Sequence, residues 1–487
     1  MKLFTIGDSI SQGFMSLAAA RTDLSYSTLL ALKLGLTPQE DYRFADWEAG
    51  GIPLNVEAIM RSLNRRYGAN IRGLEWLTVL QTINNVVDRA EDYYERGAGR
   101  FDLPYGAGMV EFFHNVAISG FDIADAWQVT PALCLEALHR ATGPRPSDGY
   151  LTGPDQPYYR TALKVLNPAL KPEYDDFSQL RWLKKHVTEE GVDTLVLWLG
   201  ANNALGTVIS LKINQTPNNP HRRPFEVPHL ERVQIHKWNL WHPDDFQADF
   251  TELLHRVDTI MQRNKATNWK VFIGTIPLVT IAPLAKGVGA TTEVPGKGIY
   301  YKYYTYFPFE EEFARNTGIH LTMQEAIHID DCIRQYNKII TERVVRYNEQ
   351  HNPLERYYIV DICQTLQDLA FKRNSGLPPY KFPDYFEFVY PKVDTKYYHA
   401  NMEGQLKQGG LFSLDGIHPT AIGHGIIAYE FLKVIKRAGI KTNTDLDWPT
   451  IFANDTLYTQ PITLMHELYG HDDLAQHVIK LIRLFGL

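Results

Sequence analysis

Cysteine is scarce: three residues, Cys134, Cys332 and Cys363, in a chain of 487. An odd number so widely spaced makes no disulfide framework, and no spacing among them resembles a zinc site. Positive charge is not in excess either. The formal net charge is −7 and the pI lies near 6.2, which argues against a nucleic-acid partner, since such proteins carry a basic footprint. No apolar run approaches the ~20 residues that span a bilayer, so no transmembrane segment is expected. A basic stretch leading into a long apolar core is missing from the N-terminus, and a cytoplasmic location is the expectation. Internal repeats and low-complexity tracts are absent too, which excludes a solenoid or a linker-dominated chain.

What remains is an ordinary globular composition, 44% hydrophobic and 22% charged, with enough apolar residues for a large core. Five short apolar runs read as buried parallel-type strands. They are Leu3-Phe4-Thr5-Ile6, the stretch from Val110 to Val116, Thr194 to Leu199, Val271 to Gly274, and Tyr357 to Val360. Helical spacing appears between them. Asp244 to Gln262 carries Phe246, Phe250, Leu253, Leu254, Val257 and Ile260, and Ile329 to Tyr347 carries Ile333, Tyr336, Ile339, Ile340 and Val344. Strands alternating with helices predict an α/β fold with a central parallel sheet.

The connections are unusually long. Residues 30–105, 135–180, 207–243, 284–328 and 373–405 read as insertions into a domain covering 1–440, and loops of this size normally hold elements of their own or serve a function. The first contains a helix with Leu77, Leu80, Ile83, Val87 and Ala90 on one face. The fourth is Tyr-dense, from Tyr300-Tyr301 to Tyr306, and the fifth repeats that flavour with Tyr380, Tyr385, Tyr390, Tyr397 and Tyr398. Such tyrosines serve either as amphipathic cover for the sheet rims or as the aromatic walls of a substrate cleft. Residues 441–487 read as a helical extension packed on the body, its last helix carrying Val478, Ile479, Leu481, Ile482 and Leu484.

Chemistry enters at the two ends of the chain. Gly7-Asp8-Ser9 follows the first strand directly, which lifts a serine hydroxyl to the sheet edge. A serine there is a nucleophile only if a base and an oxyanion hole reach it. Asp415-Gly416-Ile417-His418-Pro419-Thr420 precedes an apolar helical run that stops near Gly439, with Pro419 suited to the first helical turn. Three residues apart on a loop, Asp415 can accept from one ring nitrogen of His418 while the other faces outward. Oxyanion donors are available after two other strands: the Asn202 amide in Gly200-Ala201-Asn202-Asn203, and the Gly120 backbone in Asn115–Gly120. Ligands of open parallel sheets bind outside the carboxyl ends of the strands, where all four segments lie.

These blocks resemble the SGNH (GDSL) hydrolases. Gly7-Asp8-Ser9-Ile10-Ser11-Gln12-Gly13 matches that family's first block, Gly120 its second-block glycine, Gly200-Ala201-Asn202 its Gly-x-Asn, and Asp415 with His418 its Asp-x-x-His. The resemblance covers about half the chain, in ordered blocks, and its strength lies in that order, since any one block alone is weak. It implies a three-layer α/β/α flavodoxin-like fold and metal-free, cofactor-free hydrolysis of an ester. Ser9 would be the nucleophile, His418 the base and Asp415 its orienting partner. The oxyanion hole would be the Ser9 and Gly120 N–H groups and the Asn202 side chain, with Asp8 bracing the turn. The partner implied is a small-molecule ester, an acyl, lipid or acetylated-sugar ester. An acyltransferase using the same serine, or a non-catalytic ligand-binding protein on the same fold, are the alternatives. One departure is that Asn203 stands where the third block commonly has Asp.

Other polar clusters fit no template. His466 and His471 are five apart with Gly470 between them, where a helical zinc pair needs four. His320, His328 and Asp330-Asp331 are read as a charged helix start.

Overall fold

The computed structural model describes residues 1–18, 21–47, 51–72, 75–105, 110–141, 154–442, 444–470 and 479. Its strands, in chain order, are β1 Leu3–Gly7, β2 Thr194–Trp198, β3 Lys270–Gly274, β4 Ala285–Val294, β5 Gly298–Tyr306, β6 Leu321–Thr322 and β7 Tyr357–Val360, followed by the short pair His399–Ala400 and Leu406–Gln408. Four of them form a parallel sheet in the order β1-β2-β3-β7, with Leu3 opposite Thr194, Thr194 opposite Lys270, and Val271 opposite Tyr357. Every residue of β1 and β2 is buried, as parallel strands covered on both faces require. Two groups of helices supply that cover. Gln179–Glu189 and Met323–Gln350 each pack on Pro243–Met261, and Tyr26–Lys33 packs on Ala421–Arg437.

The second predicted strand is corrected. Around Asn115 the chain runs parallel to β1 but makes a single bridge, Thr5 to Asn115, where a full strand was expected over Val110–Val116. Thr5 N–H donates to His114 O at 2.9 Å and Val116 N–H to Thr5 O at 3.0 Å. The outward N–H groups of His114 and Asn115 both go to the Arg43 carbonyl, so the long first insertion closes this edge with one contact in place of a ladder. The segment still extends the sheet beside β1.

The helix expected around Ile83 runs from Trp76 to Glu95 and buries Val79, Ile83 and Val87 against the helix Val56–Tyr67. The Tyr-dense stretch is strand β5, paired antiparallel with β4. Tyr300, Tyr304 and Tyr306 point inward and are almost wholly buried, while Tyr301 and Tyr303 on the other face are half-exposed. Their polar tips are satisfied: Tyr300 donates to Asp330 Oδ2 at 2.7 Å and Tyr306 to the Ile209 carbonyl. These three rings are structural cover, as buried tyrosines with bonded hydroxyls usually are.

Pro419 does not enter a helix. Thr420 is the N-cap, its hydroxyl accepting from Gly423 N–H, and the helix begins at Ala421. Asp330 and Asp331 do not start a helix either; the helix begins at Met323 with Thr322 as its cap, and Asp330 lies inside it, buried and paired with Arg373. Within 441–470, Trp448 packs over Gly425 and Asp455 accepts from Ile422 N–H at 3.1 Å. Of the last predicted helix only Ile479, which is buried, falls within the described residues. Among the described residues no helix is long and apolar enough to cross a membrane.

Candidate active site

The end of β1 dictates where Ser9 sits. A four-residue helix, Ser9–Gln12, starts immediately after Gly7 and Asp8, with the Asp8 carboxylate accepting from Ile10 N–H at 3.2 Å. The turn folds back so tightly that a Cβ on Gly7 would lie 2.2 Å from Ser11 Oγ, so only glycine fits there. Gly13 ends the helix at φ 84°. Gln179 Nε2 ties the strand end down, donating to the carbonyls of Gly7 and Val116 at 3.0 and 2.6 Å.

The C-terminal block arrives at the same place. His418 Nε2 lies 2.9 Å from Ser9 Oγ, and His418 Nδ1 lies 2.9 Å from Asp415 Oδ2. All three side chains are buried, with Ser9 4% and His418 3% exposed. Asp415 is held by more than the imidazole. Its Oδ1 accepts from the N–H groups of Ile417 and His418 at 2.8 and 2.9 Å, and its Oδ2 accepts from Leu17 N–H at 2.9 Å. Burial works against this carboxylate, but the charge on His418 and these hydrogen bonds prevail and hold its pKa below the usual range. An imidazole fixed between a carboxylate and a serine hydroxyl is a general base aimed at a nucleophile.

Asn202 opens the helix Asn202–Ser210 after β2 and lines the same cavity as Asp8, Ser9 and His418. Gly200, at φ 120°, makes the turn possible, since a Cβ there would meet Ile276 Cδ1 at 2.6 Å. One Asn202 amide hydrogen goes to the Phe121 carbonyl at 2.9 Å; an amide has two. Gly120, at φ 83°, is tied to the nucleophile turn through its neighbours: Ser119 N–H donates to Gln12 Oε1 and Ile118 N–H to Gly7 O. It does not itself line the cavity. Asn203 is fully buried and its Oδ1 accepts from Ile123 N–H at 3.3 Å, so the acceptor expected of an aspartate here is retained. Asp8 faces the cavity, and burial raises its carboxyl to about 7, against the Ile10 hydrogen bond and the His418 charge.

The cavity beside Ser9 is narrow, about 60 Å³, and its walls are mostly aliphatic. Leu205, Leu278, Val279, Ile281, Leu366 and Leu369 contribute to it, and none of the tyrosines singled out in the sequence does. Sequence reasoning missed these walls, because they come from three separated segments with no shared spacing. It also missed a buried ionic cluster behind the oxyanion loop. Arg232 bonds Asp122 at 3.0 Å and Asp125 at 2.5 Å, and His229 Nδ1 lies 2.7 Å from Asp125 Oδ1. Asp122 Oδ1 in turn accepts from Ala124 and Asp125 N–H, fixing the chain that follows Gly120.

Metal ligation has one candidate group among the described residues, His114, His186 and Glu190. The donors do not suit an ion. His114 Nδ1 accepts from Arg43 N–H at 2.9 Å, which puts the ring proton of the neutral imidazole on Nε2 and leaves no lone pair there. Lys2 Nζ already sits 2.6 Å from Glu190 Oε2. His466 has both nitrogens engaged, by the Thr463 carbonyl and Asn70 Oδ1, and His471 lies outside the described residues.

Together these features define an α/β protein with a serine–histidine–aspartate relay at the carboxyl edge of a parallel sheet. No family model, curated protein or solved structure matches the chain.

Proposed function

We propose that the protein is a serine esterase of the SGNH (GDSL) type, on a flavodoxin-like three-layer fold, cleaving a carboxylic ester through an acyl-enzyme on Ser9. The observation that carries this reading is the unbroken relay from Asp415 through His418 to Ser9, two contacts of 2.9 Å, opening on an apolar cavity. With the edge segment at Asn115 counted, the strand order is the 2-1-3-4-5 of doubly wound sheets, whose ligands sit at the switch beside the first strand.

In the first step the Ser9 oxygen bonds to the ester carbonyl carbon as its proton passes to His418 Nε2. The oxyanion that forms is met by the second Asn202 amide hydrogen and the backbone N–H groups of Ser9 and Gly120. His418 gives its proton to the alkoxide oxygen as the carbon–oxygen bond breaks, and the alcohol leaves. Water then repeats the sequence, surrendering a proton to His418 and attacking the acyl carbon, and Ser9 takes the proton back as the acid departs. The Asp415 carboxylate stabilises the imidazolium in both halves. Aliphatic walls favour a hydrocarbon acyl group over an acetylated sugar, which would need polar partners.

Ser9→Ala tests the reading. The variant is expected to fold, to lose hydrolysis of p-nitrophenyl acyl esters, and to escape labelling by a fluorophosphonate probe that modifies the wild-type serine. Unchanged hydrolysis by Ser9→Ala, or a folded wild-type protein that the probe does not label, overturns it.

A further inference from the structure

A second cavity, about 360 Å³, lies behind a wall it shares with the catalytic one. Thr395 faces both; Ala282 and Leu369 front the catalytic side, Pro283 and Phe371 the other. The wall is fastened by the Thr395 hydroxyl, which accepts from Phe371 N–H at 2.8 Å and donates to Leu369 O at 3.2 Å.

The chemistry behind the wall is different. Its surfaces are aromatic, and one of them is a flat floor. A Cβ on Gly287 would come within 2.4 Å of the Tyr301 ring, so that ring lies directly on the backbone of β4. Its charge is of one sign. Lys286, Lys372, Lys396 and His399 line the cavity, and no acidic residue is among its described lining residues.

The three lysines are in different states. Lys286 is paired with Glu310 at 2.5 Å. Lys372 is half-buried and places its ammonium on three carbonyls, those of Thr280, Ala282 and Ala285, at 2.9, 2.8 and 2.6 Å. Among the described residues no carboxylate bonds it, and the nearby Asp330 is engaged by Arg373 at 2.9 Å. Burial, reinforced by the Arg373 charge, pushes its pKa well down. Lys396 makes no ion pair among the described residues; its ammonium lies 3.9 Å from the centre of the Phe371 ring. Asp394, two residues before it, spends Oδ1 on the backbone N–H groups of Lys396 and Gly409. Cations partly shielded from water favour an opposite charge beside them. The carboxylates near these two, Asp330 and Asp394, are already engaged by Arg373 and by backbone N–H groups, which leaves the open space beside Lys372 and Lys396 for an anion.

We propose that this cavity binds a small aromatic anion, its ring on Tyr301 and its carboxylate or phosphate at Lys396, as the countercharge to the Lys372 and Lys396 pair. The site is separate from the ester cavity and independent of the esterase reading. It abuts the catalytic loop all the same, because Tyr397, which lines it, donates its hydroxyl to the carbonyl of Leu414, next to Asp415.

Calorimetric titration of the Ser9→Ala protein tests this, since loss of turnover leaves the binding readout intact whatever the serine does. The probes are benzoate and phenyl phosphate, with benzyl alcohol as the uncharged ring and inorganic phosphate as the ringless anion. At least one aromatic anion is expected to bind, about tenfold or more tighter than either control, the scale of a charge-assisted hydrogen bond. Which of the two binds identifies the anionic group. Lys396→Gln and Tyr301→Ala, both at half-exposed positions, are each expected to raise its Kd about tenfold. Failure of both aromatic anions to bind, equal binding of benzyl alcohol or of inorganic phosphate, or a Kd unmoved by both substitutions overturns the proposal.

Discussion

His418–Asp415 and His229–Asp125 are both buried histidine–aspartate pairs, with contacts of 2.9 Å and 2.7 Å. They differ in what else each partner touches. Beyond its carboxylate, His418 meets Ser9 Oγ and an open cavity. His229 meets the Tyr159 hydroxyl at 3.2 Å and stacks on Tyr158, 5.2 Å between ring centres. Asp415 accepts from N–H groups and from Ser413 and, among the described residues, has no cation but the imidazole, whereas Asp125 is shared with Arg232 and the Tyr158 hydroxyl. A carboxylate already neutralised by arginine has little left to stabilise an imidazolium. Short His–Asp geometry is therefore no mark of a catalytic base; an uncommitted charge on one side and access on the other are.

Substitutions in the two pairs sharpen that contrast. The largest effect belongs to Asp415→Asn, which keeps the loop but not the charge, and is expected to cut kcat by about 10⁴-fold at unchanged folding. Steady-state kinetics alongside circular dichroism would read it, and a loss under tenfold would put His418 on a par with His229. Next comes Arg232→Met, which leaves Asp122 and Asp125 buried without their cation. The cost falls on stability, about 3–5 kcal/mol by denaturant unfolding, while Ser9 in the folded fraction keeps its reactivity toward fluorophosphonate. Asn202→Ala is expected to lower kcat by about 10²–10³-fold with little change in KM. An effect confined to KM would remove Asn202 from the oxyanion hole.

The last effect concerns pH. Folding raises the Asp8 carboxyl from its ordinary 3.8 to about 7, so the folded protein binds that proton more tightly than the unfolded chain. Its contribution to stability is fully present below pH 3.8 and is lost as the pH rises through about 7. Across that window the melting temperature of the wild type should fall relative to that of Asp8→Asn. Parallel curves for the two proteins would show that Asp8 is charged in the folded state.

The Ser9–His418–Asp415 relay was legible in the sequence because each of its parts is local: a strand followed by Gly7-Asp8-Ser9, and a three-residue spacing between Asp415 and His418. Four of the five predicted strands were legible for the same reason, as short apolar runs. What escaped depends on contacts distant in the chain. Val110–Val116 has a strand-like composition, yet Arg43, some seventy residues earlier, takes its outer hydrogen bonds. Pro419 suits a helix start, but Thr420, with its hydroxyl on Gly423 N–H, is the better cap. The Tyr-dense strand carried no information on which face would be inside. The Asp122–Asp125–His229–Arg232 cluster spans 110 residues from Asp122 to Arg232, and no spacing rule reaches that far.

The stitch between Ser16-Leu17 and Ser413–Asp415 has a consequence for how activity appears. Ser16 N–H donates to Ser413 Oγ, Leu414 N–H to Ser16 Oγ and Leu17 N–H to Asp415 Oδ2, contacts separated by 397 or 398 residues. Closing so long a loop is an ordering cost that only the folded body between the two ends repays. In a growing chain Ser9 therefore precedes its histidine partner by 409 residues, and until that partner arrives it is an ordinary alcohol. On the esterase reading its reactivity needs both ends of the chain, so covalent labelling of that one hydroxyl would report that the Ser16-Leu17 and Ser413–Asp415 segments have met.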